Sequence, residues 1–222
     1  MSIIKPGTLV VSCQADPGNP FHSPEAMALM ARAAQAGDAG AIRANGAEDI
    51  AAIRAVTELP IIGLNKLGDP SGVFITPTFE SAVEVVEAGA DLVALDGTLR
   101  PRPDGQTLRR QIERVHGELG VPVLADVDSL EAGLAARADG ADLVATTLSG
   151  YTDASTPIGP DVDLVRRLVA ELDCPVIAEG RIRTPDDVRA VCAAGAYAVV
   201  VGHAITDPTD ITARLVGAIP RG

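Results

Sequence analysis

Eight short apolar runs in this chain close on polar side chains: Gln14, Arg43, Lys66, Asp96, Asp126, Thr147, Glu179 and His203. One such ending is a residue emerging into solvent, but a charge closing a core strand is costly unless it is paired or at work. The stretch "PVIAEGRI" (175–182) shows the problem, because Val176, Ile177 and Ala178 run straight into Glu179, Gly180 and Arg181. Lys66 and Glu179 are residue types suited to taking a proton from one face of a bound molecule and returning one to another, with Glu179 held ionised opposite the lysine. A plain Lys–Glu ion pair stands level with this reading, since ion-pair networks perturb pKa values as catalytic pairs do.

The neighbouring candidates divide in the same way. Arg43 in "AIRANG" occupies a place that a strand would give to Val or Ile, so a carboxylate or ligand should lie close. Asp126 in "LADVDS" is either an acceptor for a ligand hydroxyl or a helix cap; Asp128 and Ser129 compete for the cap, which favours Asp126 for the site. Asp96 is equally suited to holding an arginine and to touching substrate. Gln14 reads a polar substrate group or closes its strand, and Thr147 is the best-placed hydroxyl of "TTLSGYT". Gly180 and Gly202 would let a phosphate approach backbone N–H groups that a side chain would shield. Arg181 adds a charge-assisted bond there or lies along the rim, and His203 belongs to the phosphate side or to packing. His22, His116 and His203 share no ligand-like spacing, so no metal is expected. No Ser–His–Asp or Cys–His set is evident.

These residues need a frame that gathers the ends of separate runs. The runs are 8–14, 39–45, 60–66, 91–97, 122–127, 142–148, 175–180 and 198–205, each followed by a helix-like stretch. Ser23 with Pro24, and Thr184 with Pro185, are N-cap and first-turn signals. "TLRRQIERVHGELG" and "DVDLVRRLVAELD" carry the apolar spacing of one buried helical face. Hydrophobicity that is continuous along each run marks parallel strands covered on both sides. A single-domain (β/α)8 TIM barrel over 1–222 follows; an open doubly wound sheet would show an early glycine fingerprint, and none follows "TLVVSCQ". In such a ring the third and seventh strands are opposed, so Lys66 and Glu179 would face each other across the mouth. "LGDPSGVFITPT" (67–78) is long for a strand-to-helix connection and reads as lid-like.

Composition narrows the partners. With 47% hydrophobic and 22% charged residues, the 222-residue chain can bury one sizeable core. A net charge of −12 and only five aromatics (Phe 3, Tyr 2, Trp 0) argue against nucleic acid and anionic membrane. No segment reads as a signal peptide or a membrane span. Cys13, Cys174 and Cys192 are isolated, which suits reduced thiols in a cytoplasm.

The ordered segments "VVSCQA", "GAIRANG", "ITPT", "ALDGTLRPRPDG", "LADVDS", "TTLSGYT", "AEGRI" and "VVVGHAIT" resemble the N-acetylmannosamine-6-phosphate 2-epimerase family, from near residue 7 to about 216. The resemblance implies a cofactor-independent epimerase of sialic-acid catabolism on a TIM barrel. It implies Lys66 and Glu179 as catalytic residues, and Gln14, Arg43 and Asp126 as substrate contacts. The implied partner is an amino-sugar phosphate, and a homodimer stays open as the assembly. Two differences stand out: the family typically has Lys-Arg-Asp-Tyr where this chain has Lys66-Leu67-Gly68-Asp69, and an arginine where it has Asp207. Another sugar-phosphate isomerase or lyase, or a barrel that only binds a phosphosugar, are the alternatives.

Overall fold

The computed structural model describes residues 3–152 and 157–220. The apolar runs form eight parallel strands that close on themselves in sequence order. Around the barrel these are β1 (Thr8–Cys13), β2 (Ala41–Asn45), β3 (Ile61–Leu64), β4 (Leu92–Asp96), β5 (Val123–Asp126), β6 (Leu143–Ala145), β7 (Val176–Glu179) and β8 (Ala198–Val201). The helices are α1 (Pro24–Ala36), α2 (Ala47–Arg54), α3 (Phe79–Glu87), α4 (Leu108–Arg114), α5 (Leu130–Ala138), α6 (Val162–Glu171), α7 (Pro185–Ala193), α8 (His203–Thr206) and α9 (Pro208–Gly217).

Both faces of each strand are buried, which is why the runs are continuous rather than alternating. Val10, Ile62, Leu92, Leu124, Ile177 and Val200 point into the barrel. Val11, Ile42, Ile61, Val93, Val123 and Val176 point outward onto the helices. With no Trp and few aromatics, β-branched and leucine side chains fill both layers.

The helix starts follow the sequence signals. Ser23 Oγ accepts from Ala26 N at 3.2 Å, and Thr184 and Asp187 form a reciprocal capping box. Ser129 caps α5, leaving Asp126 free of that task. Two expectations change. "TLRRQIERVHGELG" is not one α-helix: after Arg114 it widens into a π-helical turn, Val115–Leu119, closed by Gly120 N donating to Val115 O at 3.0 Å. Gly117 within the turn weakens the ordinary helix there. The eighth run stops as a strand at Val201, and its last residues coil into α8.

The connections back to the sheet alternate. Strands β3, β5 and β7 are entered through Pro60, Pro122 and Pro175, whose missing N–H costs nothing at a strand start. Strands β4, β6 and β8 are entered through Gly89, Gly140 and Gly195, at φ 110°, 109° and 97°. Residues 89–94 and 140–145 are the same hexapeptide, Gly-Ala-Asp-Leu-Val-Ala. In both copies the aspartate staples the preceding strand: Asp91 Oδ2 accepts from Ile61 N, and Asp142 Oδ2 from Val123 N, each at 2.8 Å.

Candidate active site

A cavity of about 340 Å³ opens at the C-terminal ends of the strands, the end a parallel barrel uses for binding. Gln14, Arg43, Lys66, Thr147, Glu179, Gly180, Arg181, Gly202 and His203 all line it; Asp126 lies just beneath, with no exposed surface.

Its floor is a charge network. Arg43, 1% exposed, forks onto Asp126, with Nη2 to Oδ2 at 2.6 Å and Nη1 to Oδ1 at 3.1 Å. The same Nη1 lies 3.3 Å from Glu179 Oε2. Thr147 Oγ1 is 2.6 Å from Asp126 Oδ1 and 3.1 Å from Glu179 Oε2, so its one proton serves one carboxyl at a time. Thr146 fixes the backbone here: its hydroxyl accepts from Glu179 N at 3.0 Å and donates to Glu179 O at 2.9 Å. Burial raises the pKa of Glu179 above the ordinary carboxylate range; Arg43 opposes the shift and Asp126 adds to it. Burial thus works against the ionised form that the sequence reading expects of Glu179, and Arg43 works for it. Replacing Arg43 by Met would strand the buried Asp126 carboxylate and leave Glu179 without its cation. The Arg43→Met protein should lose about 3–5 kcal/mol of unfolding free energy, read from urea denaturation midpoints at unchanged slope.

Lys66 stands apart from that network. It forms no ion pair or hydrogen bond through its side chain among the described residues, so the closing Lys66–Glu179 ion pair is not formed. The side chain reaches solvent through the mouth, yet protein surrounds it on most sides of the concave wall. This desolvation, and after it the Arg43 charge, lowers its pKa; Asp16, Glu179 and Asp126 oppose the shift.

The segment 67–78 is held rather than loose. Lys66 and Ile75 form an antiparallel bridge, and Leu67 N donates to Phe74 O at 2.9 Å. Thr76 turns the chain at φ 45°, and its carbonyl accepts from Arg102 Nη2 at 3.2 Å and Gln111 Nε2 at 3.0 Å. Asp96 takes the arginine-holding half of its reading: it binds Arg100 at 2.8 Å and does not line the cavity. Arg100 in turn donates to Pro70 O at 3.1 Å. Arg100, Arg102, Gln111 and Thr146 were not singled out by residue type, although the arginines of "RPRPDG" follow directly on β4.

At the other side, Arg181 commits Nε to Gly159 O at 2.9 Å and Nη1 to Ser149 O at 2.8 Å, beneath the Tyr151 ring. Gly180 has φ 112°, so backbone conformation itself calls for glycine there. Gly202 has a negative φ, and a Cβ would sit 3.4 Å from Ser12 Cβ. Gln14 donates to Ser12 Oγ at 2.8 Å while its Oε1 is buried without a partner, an acceptor open to a ligand donor. Among the described residues no cluster of His, Cys, Asp and Glu could hold a metal ion, and no helix is long and apolar enough to cross a membrane.

Comparison with known proteins agrees along nearly the whole chain. A family profile described as "Putative N-acetylmannosamine-6-phosphate epimerase" matches residues 27–221. A Cutibacterium acnes protein named "Putative N-acetylmannosamine-6-phosphate 2-epimerase" is 52% identical over 209 residues, 93% of this chain and 91% of that one. The solved structure of the N-acetylmannosamine-6-phosphate 2-epimerase from Clostridium perfringens superposes with a TM-score of 0.92 at 42% identity, covering 96% of this chain and 94% of that one. Thiamine phosphate pyrophosphorylase from Pyrococcus furiosus shares the fold alone, with a TM-score of 0.62 at 20% identity.

Proposed function

The chain belongs to the N-acetylmannosamine-6-phosphate epimerase family, and we propose that it inverts C2 of N-acetylmannosamine 6-phosphate with Lys66 and Glu179 as the two proton-handling groups. Inversion at that carbon gives N-acetylglucosamine 6-phosphate, which suits amino-sugar and sialic-acid catabolism. In the opened sugar, the C1 aldehyde acidifies the C2 proton. Neutral Lys66 takes that proton; the electron pair moves onto the C1 oxygen as an enolate. A proton delivered by Glu179 to the opposite face of C2 completes the inversion, and exchange with solvent then takes the proton from Lys66 and restores one to Glu179. Arg43 lies where it can moderate the negative charge, while Gln14, Asp126 and Thr147 order the hydroxyls. Gly180, Gly202 and His203 face the phosphate, so that binding remote from C2 aligns the reacting carbon. Arg181 shapes this end of the site from the rim.

The observation that carries this reading is a pair of groups in one cavity shifted toward each other, the lysine downward and the glutamate upward. Shifts in these directions bring a lysine base and a glutamic acid closer to the range in which proton transfer is most effective. Incubation with N-acetylmannosamine 6-phosphate in deuterated water should yield the epimer carrying deuterium at C2. Folded protein that gives neither epimer nor exchange would sink the proposal.

A cytoplasmic setting goes with a sugar-phosphate substrate and with three cysteines that are all unpaired. The assembly we favour is a homodimer. Helix α9 buries none of its residues and exposes Leu215 and Val216, with Ile219 just beyond its end. A second copy supplies the matching apolar surface. Light scattering after size exclusion should give twice the chain mass, and Leu215→Glu combined with Val216→Glu should give the monomer; a monomeric wild type would remove the dimer.

A further inference from the structure

Charge at the end of the cavity between β7 and β8 is finely divided. Arg181, Arg183, His203 and Asp207 all line it. Asp207 presents a carboxylate to the same end of the cavity. That carboxylate is fixed, because it caps α9 by accepting from Thr209 N at 3.0 Å and Asp210 N at 3.1 Å, and from Asn19 Nδ2 at 3.2 Å. The backbone bond from Asp210, foremost among its contacts, keeps the group below the usual carboxylate range, so it stays charged at neutral pH.

Two of the cavity's arginines are already engaged, and Lys66 is the base proposed for C2. Arg43 is tied to Asp126 and Glu179, and Arg181 spends Nε and Nη1 on carbonyls, which leaves its buried Nη2 as one further donor. Arg183 is different. Its backbone N donates to Asp187 Oδ2 at 2.9 Å, while its exposed guanidinium makes no hydrogen bond or ion pair among the described residues. We propose that Arg183 binds the phosphate of the substrate and offsets the repulsion from Asp207. A planar guanidinium with free N–H donors matches phosphate oxygens in pairs. Arg183 is then a residue that sets preference for phosphorylated over unphosphorylated sugar, and this rests on the sugar-phosphate reading of the cavity.

Two variants with the same change in net charge test it. Arg183→Gln should raise KM for N-acetylmannosamine 6-phosphate by about 10- to 100-fold, the span of a lost hydrogen bond to a charged group, with kcat nearly unchanged. It should weaken inhibition by inorganic phosphate to a similar degree. Arg189→Gln, on the exposed face of α7 and outside the cavity, should change neither. Unaltered KM and phosphate inhibition in Arg183→Gln would overturn the assignment, as would equal effects in the two variants. Calorimetry with inorganic phosphate separates the two proposals. Phosphate binding that disappears in Arg183→Gln, in a protein that does not epimerise, upholds Arg183 and rejects the reaction.

Discussion

Lys66→Met should leave a folded protein that has lost the reaction. The thioether keeps most of the stem's packing and removes the only amine that the described residues place in the cavity. Solvent exchange at C2 and epimerisation should both fall by about 10²- to 10⁴-fold, the usual cost of a general acid–base group. Stability should not fall with them, because the ammonium has no ion-pair partner to abandon. The pH dependence carries the sign. The cavity wall that crowds water from Lys66, and then Arg43, hold its folded-state pKa below the ordinary 10.5. Between those values the unfolded chain binds more protons than the folded one, so wild-type stability rises with pH across the window. The variant should lack that slope. The wild-type rate should rise as pH passes the lowered pKa of Lys66, since only the neutral amine accepts a proton. A variant that turned over normally would move the base elsewhere.

Glu179→Gln should produce the second large loss. Glutamine has the shape of the neutral acid that burial favours at this position. It can still meet Arg43 and Thr147, and Asp126 keeps its two bonds to Arg43, so no buried charge is stranded. What glutamine cannot do is give up or regain a proton. Turnover should fall by about 10²- to 10⁴-fold, with KM and the unfolding midpoint little changed. The opposite pattern, normal turnover in a less stable protein, would make Glu179 only a partner closing the strand end.

The barrel was legible because burial on both faces leaves continuous apolar runs, and because Ser23, Thr184 and Ser129 announce their helices. The ring of polar strand ends was legible for the same reason, since each breaks such a run. Pairing within that ring was not. Arg43 advertised a need for a carboxylate, but only folded geometry shows two of them meeting one guanidinium. The eighth run overshot because a four-residue helix has too little length for its period to register. Segment 67–78 looked like a lid because no local residue reveals that its anchors, Arg100, Arg102 and Gln111, come from the connection and helix after β4. Arg183 is silent for a further reason: its importance lies in bonds that it does not make.

The alternation of proline and glycine entries has a consequence for how such a chain could have arisen. From β3 to β8 its grammar repeats every two strands, so this part of the barrel reads as three like pairs, and the identical hexapeptide before and within β4 and β6 marks the first and second of them. Duplication of a two-strand, two-helix unit leaves this kind of imprint. Cut before Pro122, the chain divides into halves of four strands, each with its two outer edges unpaired. Either half alone would be a template for the other, and two copies of an ancestral half could have closed the ring before one gene encoded it.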